Sequence, residues 1–369
     1  MKTSDVIVIG AGIAGASAAA EIAADGAHVL LLEMESQPGY HATGRSAAMF
    51  EPSEGAPIVR ALTRASHAFL SQPPENFADV PLLTPRGVLM LAFAGDEELV
   101  EDAKRNGYVD VDSDFARSKL PLVKLDGAVA ILWDGEARDI DVDALHMGRL
   151  RTLRRAKGEV VVDARLQHGS RRGGIWRLDT TNGSYEAPKI VLAAGAWSDL
   201  VATSCGVTPV GLQPKRRSAA VIAGPAGISV SQWPEILPID ISFYCKPMGG
   251  KLMLSSAEEE PVDPHDAWAD DLRLAEAVAG LERLVEMSVQ RLERTWGGLR
   301  TFATDGLPVV GFDPDAEGFF WLAGQGGYGI QTSPALSRLA AALIASRDVP
   351  PDLQSEGIAA AALSPHRFR

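Results

Sequence analysis

Apolar positions along the chain fall into short runs, and the polar residues between them change period several times. Near the N-terminus Val6-Ile-Val-Ile runs unbroken into Gly10-Ala-Gly-Ile-Ala-Gly15, then into an Ala-rich stretch that ends near Asp25-Gly26. A second apolar run, Val29-Leu-Leu-Leu, delivers Glu33. Continuous apolar runs of strand length suit strands covered on both faces, so this region predicts strand, turn, helix and parallel strand. Pro57 suits a first helical turn, after which Ile58, Leu62, Ala65 and Phe69 form one apolar face and Pro73-Pro74 ends it. From about 80 to 140 the pattern is short strands and turns, including 87–93 and 128–133. Asp141 opens another helix, whose end carries Arg149, Arg151, Arg154, Arg155 and Lys157. Cations at a helix C-terminus complement the dipole on a solvated face, with polyanion binding as the alternative reading. Further strands are predicted at 160–162, 189–195, 219–222, 241–244, 251–254 and 319–323, one long helix at about 266–293, and a last helix at about 330–344.

This order suggests an α/β chain built from two interleaved parts. Segments 1–80, 141–204 and 301–369 have dinucleotide-binding character, and the strand-rich segments 81–140 and 205–300 lie between them. The expectation is a discontinuous Rossmann-like domain for the cofactor and a mixed or antiparallel-sheet domain for the substrate. A length of 369 residues allows both to have a core. The net charge of −13 disfavours nucleic acid and an anionic membrane surface as partners. Cys205 and Cys245 form no CxxC motif and read as small buried hydrophobes. With no apolar stretch near the ~20 residues of a membrane span and no cleavage pattern at the N-terminus, the expected location is cytoplasmic.

The chemistry lies at the two ends. Gly-x-Gly-x-x-Gly between a strand and a helix, followed by an acidic residue after the next strand, is a dinucleotide fingerprint in its required context. Gly10 permits the tight turn, Gly12 lets backbone approach a pyrophosphate, and Gly15 lets helix and sheet pack closely. The helix N-terminus, through Ile13 and Ala14, offers free N–H groups to phosphate, and Glu33 is placed to take a ribose hydroxyl pair. Near the C-terminus Gly324-Gln-Gly-Gly-Tyr-Gly-Ile-Gln-Thr-Ser333 joins a strand to a second helix N-terminus. Gly326, Gly327 and Gly329 again allow close backbone approach, while Gln331 and Thr332 supply polar side chains. A nicotinamide protein needs one phosphate cradle; two such units suit FAD.

Gly10–Gly15, Ala193-Ala-Gly-Ala-Trp-Ser198, Asp305-Gly-Leu-Pro-Val-Val-Gly311 and the segment 324–333 resemble the D-amino-acid oxidase and glycine oxidase superfamily of FAD enzymes. Within it the chain is most similar to the D-arginine dehydrogenases, through Pro38-Gly-Tyr-His-Ala-Thr-Gly-Arg-Ser-Ala-Ala48, Gly211-Leu-Gln-Pro-Lys-Arg-Arg-Ser218, Thr295-Trp-Gly-Gly-Leu-Arg300 and Gln325–Ser333. The resemblance implies FAD contacts at Arg45, Ser46, Ala47 and Ala48, and an adenine contact at Leu166. It extends them to Met34, Gly44, Ala194, Gly195, Trp197, Gly298, Tyr328 and Ile330. It further implies that Arg300 and Tyr244 bind a substrate carboxylate, that Arg217 is a second cation in the site, and that the Gly327 carbonyl receives the substrate amine. The implied activity is oxidative deamination of a D-amino acid or related secondary amine. Hydride passes from Cα to flavin N5, and the imino acid hydrolyses to a 2-oxo acid. Oxygen or a quinone would then take the electrons. His41 stands where some relatives attach FAD covalently, but D-arginine dehydrogenases carry it with free FAD, so noncovalent FAD is expected. The cysteine used by monomeric sarcosine oxidase has no counterpart between Thr295 and Gly311, and the seven histidines show no metal-ligand spacing. Two other readings stand beside this one, an NAD(P)H-dependent flavin hydroxylase and a flavin-binding protein without turnover.

The substrate's side chain is judged from departures. D-arginine dehydrogenases place an acidic residue two positions after a Pro-Arg pair, whereas Pro85-Arg86 here leads to Val88. With Met49 and Met90, Val88 suggests an uncharged pocket that favours small or apolar side chains over D-arginine, because a buried charge without a partner is costly. Glu51 and Glu54 are the competing feature, able to supply an acidic wall from the neighbouring loop.

Overall fold

The computed structural model describes residues 2–369. Its first sheet has six strands in the order Glu159–Val161, Val29–Leu32, Val6–Ile9, Lys189–Leu192, Phe319–Ala323 and Val309–Phe312. The first five run parallel and the last is antiparallel. Val29–Leu32, Val6–Ile9 and Phe319–Ala323 are wholly buried, and Lys189–Leu192 is buried beyond its lysine, the burial their apolar runs require. One face carries the helices Ile13–Ala24, Pro57–Ser71, Val142–Arg155 and Gly329–Ile344. Alanines at 16, 18, 19, 20, 335, 340 and 341 make that contact close. Pro334 interrupts the last helix, and the Ser333 hydroxyl donates to the Ile330 carbonyl (2.9 Å) that the missing N–H leaves free. The opposite face is covered by an antiparallel unit of Leu166–Arg172, Ile175–Thr180 and Gly183–Ala187, packed through Trp176, Leu178 and Tyr185.

The second sheet has nine strands, built chiefly from segments 81–140 and 205–300. Its backbone is the antiparallel pair Gln213–Ile222 and Leu292–Phe302. It continues through Lys251–Ser255, Tyr244–Met248, Glu235–Pro238, Val88–Ala92 and Ala130–Asp134. The only parallel contact along this path is Glu235–Pro238 with Val88–Ala92, which sets Glu235 beside Val88. The helix Asp271–Leu284 covers one side of this sheet through Ala277, Leu281 and Leu284. Architecture and sheet types agree with the expected α/β class.

Three local expectations need correction. The helix expected at 266–293 spans Asp271–Leu284. Asp270 caps its start, accepting from Leu272 and Arg273 N–H, and the chain then turns extended at Val285 and enters the strand at Leu292. The strand expected at 241–244 begins at Tyr244, because Ile241 sits in a turn with φ of 51°. The helix Pro57–Ser71 buries Val59, Leu62, Ser66 and Leu70 more deeply than Ile58 and Phe69, a face rotated by one residue.

Candidate active site

A cavity of about 820 Å³ runs between the two sheets, at the upper end of the usual ~300–1,000 Å³ of ligand sites. One end is made by the fingerprint. Gly10 has φ of +100°, and a Cβ there would stand 2.5 Å from the Ala193 carbonyl. Gly12 caps the helix Ile13–Ala24 without any side-chain bond. Of the first-turn groups, Ile13 N–H donates to Thr43 Oγ1 (2.9 Å). Glu33 closes this end; its two carboxylate oxygens accept from Ala11 N–H (2.8 Å) and Glu35 N–H (3.0 Å). Burial raises the Glu33 pKa. Leu166, Met34, Ala194, Gly195 and Trp197 line the same end, and His41 packs on Trp197 with ring centres 4.5 Å apart.

The middle is bounded by the loop 39–48 on one side and the Gly326–Ile330 turn on the other. Arg45, Ser46, Ala47, Ala48, Gly298, Gly326, Tyr328, Gly329, Ile330 and Gln331 line it. The Arg45 guanidinium is engaged by Asp266 (2.5 Å) and by the carbonyls of Ala267 (2.9 Å) and Gly297 (3.0 Å). Ser46 Oγ accepts from Ala48 N–H (3.2 Å). The helix Gly329–Ile344 starts with no side-chain cap, and Gly329, Ile330 and Gln331 of its first turn line the cavity. Gly15, Gly44 and Thr332 lie behind this surface. A Cβ on Gly15 would sit 1.8 Å from the Gly10 carbonyl and one on Gly44 2.7 Å from the Gly39 carbonyl, while the Thr332 hydroxyl donates to the Tyr328 carbonyl (2.7 Å). Two helix N-termini whose own N-cap residues offer no side-chain bond, glycines where a Cβ would clash and a carboxylate at the far end fit the elongated FAD molecule.

At the other end Arg300 and Arg217 face the cavity from adjacent strands, with Tyr244 and Gly327 beside them. The Arg217 guanidinium lies 5.8 Å from the Tyr244 ring centre, and a Cβ on Gly327 would meet Arg300 Nη1 at 2.6 Å. Burial, with Arg217 alongside, draws the Arg300 pKa down to about 10, which leaves it cationic at neutral pH. Its Nε is buried and has no acceptor among the described residues. A loop carboxylate, Glu259, meets Arg300 at 2.6 Å, Lys215 at 2.9 Å and Arg217 at 3.8 Å. This is a seat for an anion. All four residues that the resemblance marked for substrate chemistry are brought together here.

The remaining wall differs from the expected one. Val88 and Met90 do not reach the cavity; they are 0% and 3% exposed and pack with Tyr108, Leu132 and Leu237. Their strand turns these side chains into the core, so the uncharged pocket they suggested is absent. Met49 lines the cavity together with Glu51 and Glu54, joined by Glu235 and Tyr108, which the sequence did not single out. Tyr108 donates to Glu54 Oε1 (3.2 Å), and the Glu51 N–H donates to Gln331 Oε1 (2.8 Å). Burial and the neighbouring carboxylates Glu235 and Glu54 hold the Glu51 pKa well above the usual range. No motif marks Glu235, which arrives on a strand paired far along the chain. No cluster of metal-ligand type occurs among the described residues.

Known proteins share both the fold and the sequence pattern. A glycine oxidase from Geobacillus kaustophilus is 24% identical over 374 residues, covering 95% of each chain. The crystal structure of glycine oxidase from that organism superposes with a TM-score of 0.82 at 20% identity, covering 94% of this chain and 96% of that one. That of L-proline dehydrogenase from P. horikoshii gives a TM-score of 0.84 at 19% identity, covering 100% and 98%. Residues 5–343 match the DAO family, described as FAD dependent oxidoreductase. With the paired dinucleotide cradles already in place, the match is decisive: this chain belongs to the DAO family of FAD dependent oxidoreductases.

Proposed function

We propose that the enzyme oxidises the carbon–nitrogen bond of a D-amino acid or a related secondary amine, with noncovalent FAD as the hydride acceptor. One observation carries this reading: Arg300, Arg217 and Tyr244 converge beside Gly327 at the end of the cavity next to the Gly326–Ile330 turn. A guanidinium with an unsatisfied buried donor is suited to the carboxylate that all amino acids share. When bound, FAD supplies the two-electron chemistry. The chain's own task is to orient the substrate. Arg300 and Arg217 hold the carboxylate, with Glu259 giving up its place to it, and the Gly327 carbonyl accepts from the amine. Glu33 holds the ribose hydroxyls, and the N-terminus of the helix Ile13–Ala24 faces the pyrophosphate. The imino product then hydrolyses to a 2-oxo acid.

In this reading 1–80, 141–204 and 301–369 form the cofactor domain, and 81–140 with 205–300 the substrate domain. The D configuration rests on the likeness to D-arginine dehydrogenases in the segments that carry Arg217, Arg300 and Gly327. The location is proposed to be cytoplasmic, consistent with free, buried Cys205 and Cys245. No helix among the described residues is long and apolar enough to cross a membrane. Oxygen or a quinone serves as the final acceptor.

The test is anaerobic mixing of the FAD-loaded protein with separate D- and L-amino acids. D-amino acids should bleach the yellow flavin band. Bleaching only by NADPH would replace this reading with a flavin hydroxylase, and faster bleaching by L-enantiomers would overturn the D assignment alone. Acid precipitation is expected to release all the flavin into the supernatant, since His41 Nε2 is paired with Glu35 Oε1 at 2.8 Å. Yellow colour retained in the protein pellet would refute noncovalent binding.

A further inference from the structure

Next to the cationic seat, around Tyr328, the cavity wall is acidic. Glu51, Glu54 and Glu235 all line it, and Asp134 and Asp139 lie behind them near enough to act on their charge. The cations in this region are already engaged. Lys246 meets Asp139 Oδ1 at 2.6 Å, Arg86 meets Asp139 Oδ2 at 2.5 Å, and Arg60 donates to the Gly55 carbonyl at 3.1 Å. Asp134 is held by the Ser53 hydroxyl (2.6 Å) and the Glu136 N–H (2.8 Å), and Tyr108 gives its one proton to Glu54. Glu235 is left over. It is 5% exposed, it faces the cavity, and its Oε2 is buried with no hydrogen-bond partner among the described residues. Buried polar atoms are almost always paired, so an orphaned carboxylate oxygen aimed into a ligand cavity calls for a donor from the ligand. Several carboxylates at one buried site cannot all ionise unless positive charge is brought to them.

We propose that Glu51, Glu54 and Glu235 form a cation-binding subsite, and that the substrate carries an ammonium or guanidinium group at the end of its side chain. This rests on the reading that Arg300 seats the substrate carboxylate in the neighbouring cationic seat. This end of the cavity then offers both charges, and a ligand bearing both is fixed in one direction. The same cluster excludes anionic side chains, which would add to an uncompensated negative charge. In the absence of such a ligand, burial, with Asp139 and Glu54 adding to it against the opposing cations Lys246 and Arg86, lifts the Glu235 pKa to about 7. A proton then takes the place that the ligand's cation fills.

Lysine and norleucine have side chains of the same length and differ in the terminal ammonium, so they isolate the effect. The rate of anaerobic flavin reduction in the FAD-loaded enzyme is measured at limiting concentration for both, as D and L forms, alongside calorimetric binding. Lysine should exceed norleucine at least tenfold in the preferred enantiomer. Glu235→Gln, and separately Glu54→Gln, should bring that ratio down several-fold. Norleucine reducing the flavin as fast as lysine, or faster, would overturn the subsite and leave amine oxidation standing. Lysine that binds in a Glu235-dependent way without reducing flavin would overturn the redox reading and leave the subsite. Neither binding nor reduction would overturn both.

Discussion

Replacing Arg300 with methionine is expected to lower kcat/KM for amino-acid substrates by roughly 10²–10⁴-fold while FAD occupancy stays close to that of the parent enzyme. Hydrogen bonds to charged groups contribute about 1.5–3 kcal/mol, and misplacing a substrate by ~1 Å costs up to about 10² more in rate. Methionine keeps much of the volume but offers neither fork nor charge, and it leaves Glu259 with Lys215 and Arg217 only. Steady-state kinetics with the best substrate, together with the flavin-to-protein absorbance ratio, provide the check. A near-normal kcat/KM would remove Arg300 from substrate binding, whereas loss of flavin would assign it to the cofactor.

Gly15→Val is expected to abolish the holoprotein. Gly15 is buried inside the helix Ile13–Ala24, and a Cβ there would stand 1.8 Å from the Gly10 carbonyl and 3.2 Å from Ala193 Cβ. No rotamer change relieves a clash with backbone, so the helix must leave the sheet and carry the phosphate-facing N-terminus with it. Such overpacking belongs to the rare class that costs more than ~4 kcal/mol. Soluble protein with stoichiometric FAD and an unchanged unfolding midpoint would contradict the close packing.

The fingerprint end of the cavity was legible because its signal is local. Gly10, Gly12 and Glu33 lie within one strand–helix–strand unit, and their spacing alone defines the turn. The cluster of Arg300, Tyr244 and Arg217 came from resemblance, since a Lys-Arg-Arg run by itself reads as a solvated turn. The acidic wall was only half legible. Glu51 and Glu54 sit in a loop next to the recognised Arg45-Ser-Ala-Ala segment, but Glu235 reaches the site through a parallel pairing with Val88 that no local pattern encodes. Val88, Met49 and Met90 therefore suggest an apolar pocket, while the carboxylate stands on the strand next to Val88. Glu259 was missed for a similar reason, as it approaches Arg300 from a loop between two strands of the same sheet. The 266–293 helix was over-extended because its periodicity continues past Leu284 into residues whose partners are strands.

The ladder between Gln213–Ile222 and Leu292–Phe302 sets Arg300 opposite Lys215, Gly298 opposite Arg217 and Trp296 opposite Ala219. Trp296 also donates its indole N–H to the Arg45 carbonyl (3.0 Å), so one strand ties the loop 39–48 to the anion seat. Side chains on a strand alternate faces with a period of two, so spacing matters here as much as identity. Losing one residue between Trp296 and Arg300 would bring Thr301 into the place of the arginine and turn the guanidinium to the other face. Descendants of this sequence can exchange side chains along the strand one at a time and so explore new substrates. Odd-numbered insertions and deletions are closed to them, and divergence in this part of the enzyme proceeds by substitution.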